Sequence, residues 1–233
     1  LKSSKRVVTQ QGYDNCIDGI LDFLFDGKHF LIVQKKYNEI TPQAIYNSVG
    51  GDFIVYKTPY QLLIEAGITE LPVQVSKICS QFGWVLASYD SAQDIISALD
   101  LSRLAADTDG FCLKNKNYYI LYNRKLSAQR QRFVIAHEIG HIMLGHVERM
   151  QCTTANFPPV WDCAPDELAA NLYAARLVAP APVLHALHAT TPERIANVCG
   201  LTETAAAFCA NYSASDNALL GSFESYIRRI FRQ

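Results

Sequence analysis

Hydrophobic residues in the first part of the chain come in short runs. ILDFLF and KHFLIV flank Asp26-Gly27, a dipeptide suited to a two-residue hairpin turn because both central positions need positive φ. Thr41-Pro42 opens a short helix that Gly50-Gly51 ends, and DFIVYK reads as a further strand. Residues 1–57 are therefore expected to form a β-rich extension. At Thr58-Pro59 the pattern changes: a polar cap precedes a proline at the first helical position, and Gly67 supplies an end. The main domain is expected to run from residue 58 to 233. VQVSKICSQFG spaces Val75, Ile78 and Phe82 as a short amphipathic helix, and WVLASY reads as a strand. GFCLKNKNYYILYN has apolar runs on both sides of Asn115-Lys116-Asn117, which predicts a hairpin.

From Ser127, a polar cap, the spacing predicts a long helix to Gly145, on which Phe133, Ala136, Gly140 and Leu144 make a stripe of small and apolar residues. The order expected for the main domain is thus helix, helix, strand, hairpin and long helix. Residues 146–164, HVERMQCTTANFPPVWDCA, lose the periodicity, and ordered loops of that length are usually functional. Pro165 opens a helix, DELAANLYAARLVAP, closed by Pro180 and Pro182; residues 190–233 read as more helices, starting at Thr191-Pro192 and Thr202. Helices packed on a small mixed sheet place the chain in the α+β class.

With 233 residues, 49% hydrophobic and 18% charged, the chain can bury a large core. A formal net charge of −1 provides no long-range field to gather nucleic acid or an anionic membrane. The longest uncharged stretch, Leu177 to Pro192, is broken by Pro180 and Pro182, and nothing approaches the roughly 20 apolar residues that span a bilayer. Neither a membrane nor direct nucleic-acid contact is expected. Seven cysteines, at 16, 79, 112, 152, 163, 199 and 209, are an odd number without a Cys-x-x-Cys pair. They read as reduced thiols, and with no apolar signal core in LKSSKRVVTQQGYDN the expected location is cytoplasmic.

The chemistry concentrates in RQRFVIAHEIGHIMLGH, residues 130–146. Residues i and i+4 of a helix stand one above the other, so His137 and His141 can turn both imidazoles toward one ion. Glu138 is rotated by about 100° from His137 and can take a proton from a water without becoming a ligand. Two imidazoles and an adjacent carboxylate in this spacing are the donor set of a zinc hydrolase. A histidine-rich core helix is the plainer alternative, but unpaired histidines and a glutamate would be costly there. A catalytic zinc takes a third protein ligand. Glu167, in the first turn of the next long helix, is the leading candidate; Asp166 and Asp162 offer the same chemistry. Asn171, four residues beyond Glu167, can accept the N–H of a ligating histidine from beside the site.

RQRFVIAHEIGH, followed by E-x-x-x-N and YAARLVAP, resembles the ImmA/IrrE-type metallopeptidases, whose pattern runs R-x-R-F-x-x-A-H-E-x-G-H and then a glutamate-bearing helix. The resemblance spans roughly Thr58 to Cys209, with its specific core at 130–180; residues 1–57 lie outside it. It implies a zincin-like domain with one zinc per chain held by His137, His141 and Glu167, and Glu138 as base. It further implies an endopeptidase acting on a protein or peptide, specifically a helix-turn-helix transcriptional repressor. A different class of protein, a zinc-bearing regulatory or binding module without catalysis, would need no base beside its ligands.

The remaining histidines and aromatics read as structural. On a continued helix His146 would point about 180° from His137 and is expected as a satisfied surface residue. His185 and His188 are expected to be structural, and Tyr173, turned away from Glu167, to join the core. IANVCGLTETAAAFCANY is similar to a helix-turn-helix, but Glu203, Thr204 and three alanines open its second helix where a DNA reader needs cationic or amide side chains, so it is expected to pack.

Overall fold

The computed structural model describes residues 57–149, 164–219 and 231, all within the compact unit Tyr56–Gln233. The hairpin at Asp26-Gly27, the helix at Thr41-Pro42, the strand DFIVYK up to Tyr56 and the cysteines at 16, 152 and 163 lie outside the described residues. So does most of the irregular segment that follows His146.

Helix α1 (Pro59–Glu65) begins with a reciprocal cap. Thr58 Oγ1 accepts the Gln61 N–H at 3.2 Å, and Gln61 Oε1 accepts the Thr58 N–H at 2.8 Å, satisfying two donors that a helix start leaves unpaired. α2 (Val75–Gln81) turns Val75, Ile78 and Cys79 inward. Strands β1 (Val85–Ser88), β2 (Gly110–Asn115) and β3 (Asn117–Tyr122) form a sheet in the order β1-β3-β2. β2 and β3 make the expected hairpin, antiparallel with Asn115 opposite Asn117, and Lys116 at its tip has φ 50°. β1 runs parallel to β3 with Val85 beside Tyr119. Parallel neighbours require a crossover, and part of it is built by α3 (Gln93–Ala98) and α4 (Ser102–Asp107), two helices absent from the order expected from sequence. Each has six residues and no side-chain N-cap. What holds them is a small separate core of Tyr89, Ala92, Ile96, Leu101, Phe111 and Leu121.

Helix α5 (Ala128–Met143) starts at Ser127, whose Oγ accepts the Arg130 N–H, and packs on β2 and β3. The short α6 (His146–Arg149) follows; then α7 (Ala164–Val178), α8 (Ala181–Ala186), α9 (Pro192–Cys199) and α10 (Glu203–Leu219) complete the described helices. α7 crosses α5 at Gly140, where a Cβ would stand 2.9 Å from the Ala170 carbonyl oxygen and 3.2 Å from Tyr173 Cβ. Only a residue without a side chain permits that approach. Tyr173 is buried, as expected, and donates its hydroxyl to the Lys57 carbonyl at 2.8 Å. At the turn between α9 and α10, Ile195, Cys199, Leu201, Ala205, Ala206 and Cys209 enter the main core, while Glu203 and Thr204 are exposed. A helix-rich body on a three-stranded mixed sheet is an α+β fold, and no described helix is long and apolar enough to cross a membrane.

Candidate metal centre

The α5–α7 crossing decides which side chains meet. Gly140 lies between His137 and His141 on α5, and Glu167 stands three residues before Ala170 on α7, so the point of closest approach places the carboxylate over both rings. His137 Nε2 is 3.2 Å from Glu167 Oε2, and His141 Nε2 is 3.3 Å from Oε1. The two Nε2 atoms are 2.9 Å apart, and one ligand atom from each residue falls within 4.8 Å of the others. Zinc with ligands at about 2.0–2.2 Å in tetrahedral geometry separates them by about 3.3 Å. The donor set fits such an ion. Its exposure is graded: His141 is 2% exposed, while Glu167 at 34% leaves the carboxylate side accessible.

The outward nitrogens are engaged as well. His137 Nδ1 lies 3.0 Å from Asn171 Oδ1, an acceptor only, so the neutral ring carries its proton at Nδ1 and presents a lone pair at Nε2. Burial is the largest single influence and works against a charged His137, but the hydrogen bond it donates to Glu167, the charges of Glu138 and Glu167, and the hydrogen bond to Asn171 together outweigh it; its pKa rises. Burial would also raise Glu167, yet hydrogen bonds from His137 and His141 together with their charges hold it down at about 2. Each partner thus favours the ionic form of the other while no cation is bound.

Glu138 is buried, 5% exposed, one residue along α5 from His137. A Cβ at position 110, at the start of β2, would lie 3.7 Å from its Cγ. It is not one of the three donors that fall within 4.8 Å of one another, but its charge acts on His137.

The sequence left Asp166, Asp162 and Glu167 as alternatives. The structure brings Glu167 to the histidines, turns Asp166 toward His146, and leaves Asp162 outside the described residues. His146 corrects the sequence reading: instead of lying on the surface it is 4% exposed, with Nδ1 2.8 Å from His141 Nδ1 and Nε2 3.5 Å from Asp166 Oδ1. The physical reason is Gly145, whose φ of +67° ends the helical course. His146 consequently folds back over His141, and a helical projection through it loses its meaning. His185 and His188 are exposed and take no part in the cluster.

A helix bearing two histidines and an adjacent glutamate, completed by a carboxylate from a second helix, defines the class of metal-dependent peptidases. Residues 97–218, more than half of the chain, match the IrrE N-terminal-like domain of peptidase family M78. The chain belongs to that family, which bears out the resemblance read from RQRFVIAHEIGH. The match begins inside α3, so α1, α2 and β1 fall outside it although the resemblance was expected to start near Thr58. No curated protein and no solved structure matches the chain.

Proposed function

We propose that this protein is a zinc-dependent endopeptidase with a zincin-like domain, and that it cleaves a helix-turn-helix transcriptional repressor in the cytoplasm. The observation that carries the reading is the convergence of His137 Nε2, His141 Nε2 and the Glu167 carboxylate beside a buried Glu138. One zinc per chain, held by those three residues, would polarise a peptide carbonyl and make a water more acidic. Asn171 keeps the His137 ring in the tautomer that ligation needs. Glu138 accepts a proton from the attacking water at its carboxylate and returns it to the nitrogen of the departing amine. A non-catalytic zinc module gives no role to a buried carboxylate in that position. The repressor substrate rests on the family resemblance; the buried thiols at Cys79, Cys199 and Cys209 accord with a reducing compartment.

Elemental analysis of the purified chain is expected to give about one zinc per protein, in line with a single three-ligand site. Glu167→Ala lowers that content, whereas Glu138→Gln keeps it and abolishes proteolysis. Sequencing of protein N-termini in producing cells is expected to reveal a new terminus within a helix-turn-helix protein for the wild type and none for Glu138→Gln. A chain that takes up no zinc on reconstitution refutes the metal reading. A loaded chain with unchanged proteolysis in Glu138→Gln refutes the assignment of the base.

A further inference from the structure

Beyond the three ligands lies a second pair of groups, His146 and Asp166, that the proposed chemistry does not use. His146 is 4% exposed and 2.8 Å from His141 through the two Nδ1 atoms, and its far nitrogen lies 3.5 Å from Asp166 Oδ1. The rings meet at 5.0 Å between centroids with 67° between planes, an edge-on approach rather than a stack. Each neutral imidazole has a single N–H, so the hydrogen bond between the two Nδ1 atoms requires one to donate and the other to accept.

We infer that His146, oriented by Asp166, is a positioning residue that fixes His141 in the tautomer with a bare Nε2. The inference rests on the metal reading of the site. The negative charge of Asp166, 3.5 Å from Nε2, favours the His146 proton on that nitrogen, which leaves Nδ1 as a lone pair. That lone pair can accept the proton of His141 Nδ1, so the Nε2 proton that His141 otherwise gives to Glu167 is the one it would shed to present a bare Nε2 to an ion. The opposite arrangement, with the His146 proton on Nδ1, would oblige His141 to keep its own proton on Nε2 and close that nitrogen to an ion. Asn171 solves the same problem for His137 with one acceptor; His141, deeper in the protein, uses a histidine and a carboxylate in series. Gly145 makes the arrangement possible by turning the chain after α5, and α7 supplies Asp166 and Glu167 from its first turn.

Zinc affinity of the full chain, measured by competition with a chromophoric chelator, tests the inference. His146→Leu and Asp166→Ala are each expected to weaken binding by about 10-fold or more, the usual cost of losing an outer partner of a ligating histidine. His146→Asn puts an acceptor oxygen where Nδ1 stood and is expected to stay within about threefold of wild type. Long-range proton–nitrogen NMR of the zinc-loaded wild type should show His141 protonated at Nδ1 and His146 at Nε2. Wild-type affinity in either His146→Leu or Asp166→Ala overturns the inference. So does an Asn variant as weak as the Leu variant, which would mean that the ring only fills space, or a His146 proton found at Nδ1. These outcomes leave the peptidase reading intact; a wild-type chain that binds no zinc overturns both.

Discussion

A neutral histidine can lend Nε2 to a cation only while Nδ1 holds the proton, so the partner of Nδ1 matters nearly as much as the ligand itself. For His137 that partner is Asn171, at 3.0 Å. Asn171→Leu keeps most of the side-chain bulk and removes the acceptor; zinc affinity is expected to fall by about 10- to 100-fold with little change in the melting temperature of the chelated protein. Asn171→Asp retains an acceptor oxygen and should recover most of the loss. Equal affinity in the Leu variant would show that the amide is not needed. This partner was legible in the sequence because it needs only two local regularities, the i,i+4 spacing within α5 and the same spacing from Glu167 to Asn171 on α7. His146 was not. Its place depends on the left-handed turn at Gly145, and a helical projection cannot be carried through a residue with positive φ.

Which acidic residue meets the histidines is settled between elements. Asp166 and Glu167 are adjacent in the first turn of α7 and chemically alike, and the crossing at Gly140 and Ala170 selects between them. That crossing is testable. Alanine inside a helix is ordinarily worth about 1 kcal/mol over glycine. At position 140, however, the added Cβ would sit 2.9 Å from a backbone oxygen that cannot rotate away. Overpacking of this kind costs about 1–3 kcal/mol and should outweigh the propensity gain. Gly140→Ala is therefore expected to lower the melting temperature and, by spreading α5 from α7, to weaken zinc binding as well. A higher melting temperature would show that the helices part without strain. The same dependence on packing hid α3 and α4 from the sequence. Six-residue helices without side-chain caps carry little signal of their own, and their stability comes from a core whose members, Tyr89 to Leu121, are far apart in the chain.

At the scale of the whole molecule, long apolar periodicities translated well: α5, α7 and the β2–β3 hairpin stand where the pattern puts them, and together they carry every residue of the candidate centre except His146. The main core that joins them also encloses thiols from three separate helices, Cys79 of α2, Cys199 of α9 and Cys209 of α10. Burial disfavours the thiolate and pushes all three up to about 12. In the unfolded chain they ionise near their ordinary value of about 8.5. Between these limits the unfolded state binds fewer protons than the folded one, so stability must fall as pH rises. Each thiol can contribute up to about 1.4 kcal/mol per pH unit in that window. Tyr89, also raised to about 12 mainly by burial, adds in the same direction at its upper end. Denaturant unfolding of the chelated protein is expected to give a free energy that declines steadily from pH 9 to 11, and Cys199→Ala should flatten the decline. In the native protein these thiols should resist a disulfide reagent at pH 8 until the chain is unfolded. Rapid labelling of all three under native conditions would mean that α2, α9 and α10 open independently of the helices that bring His137, His141 and Glu167 together.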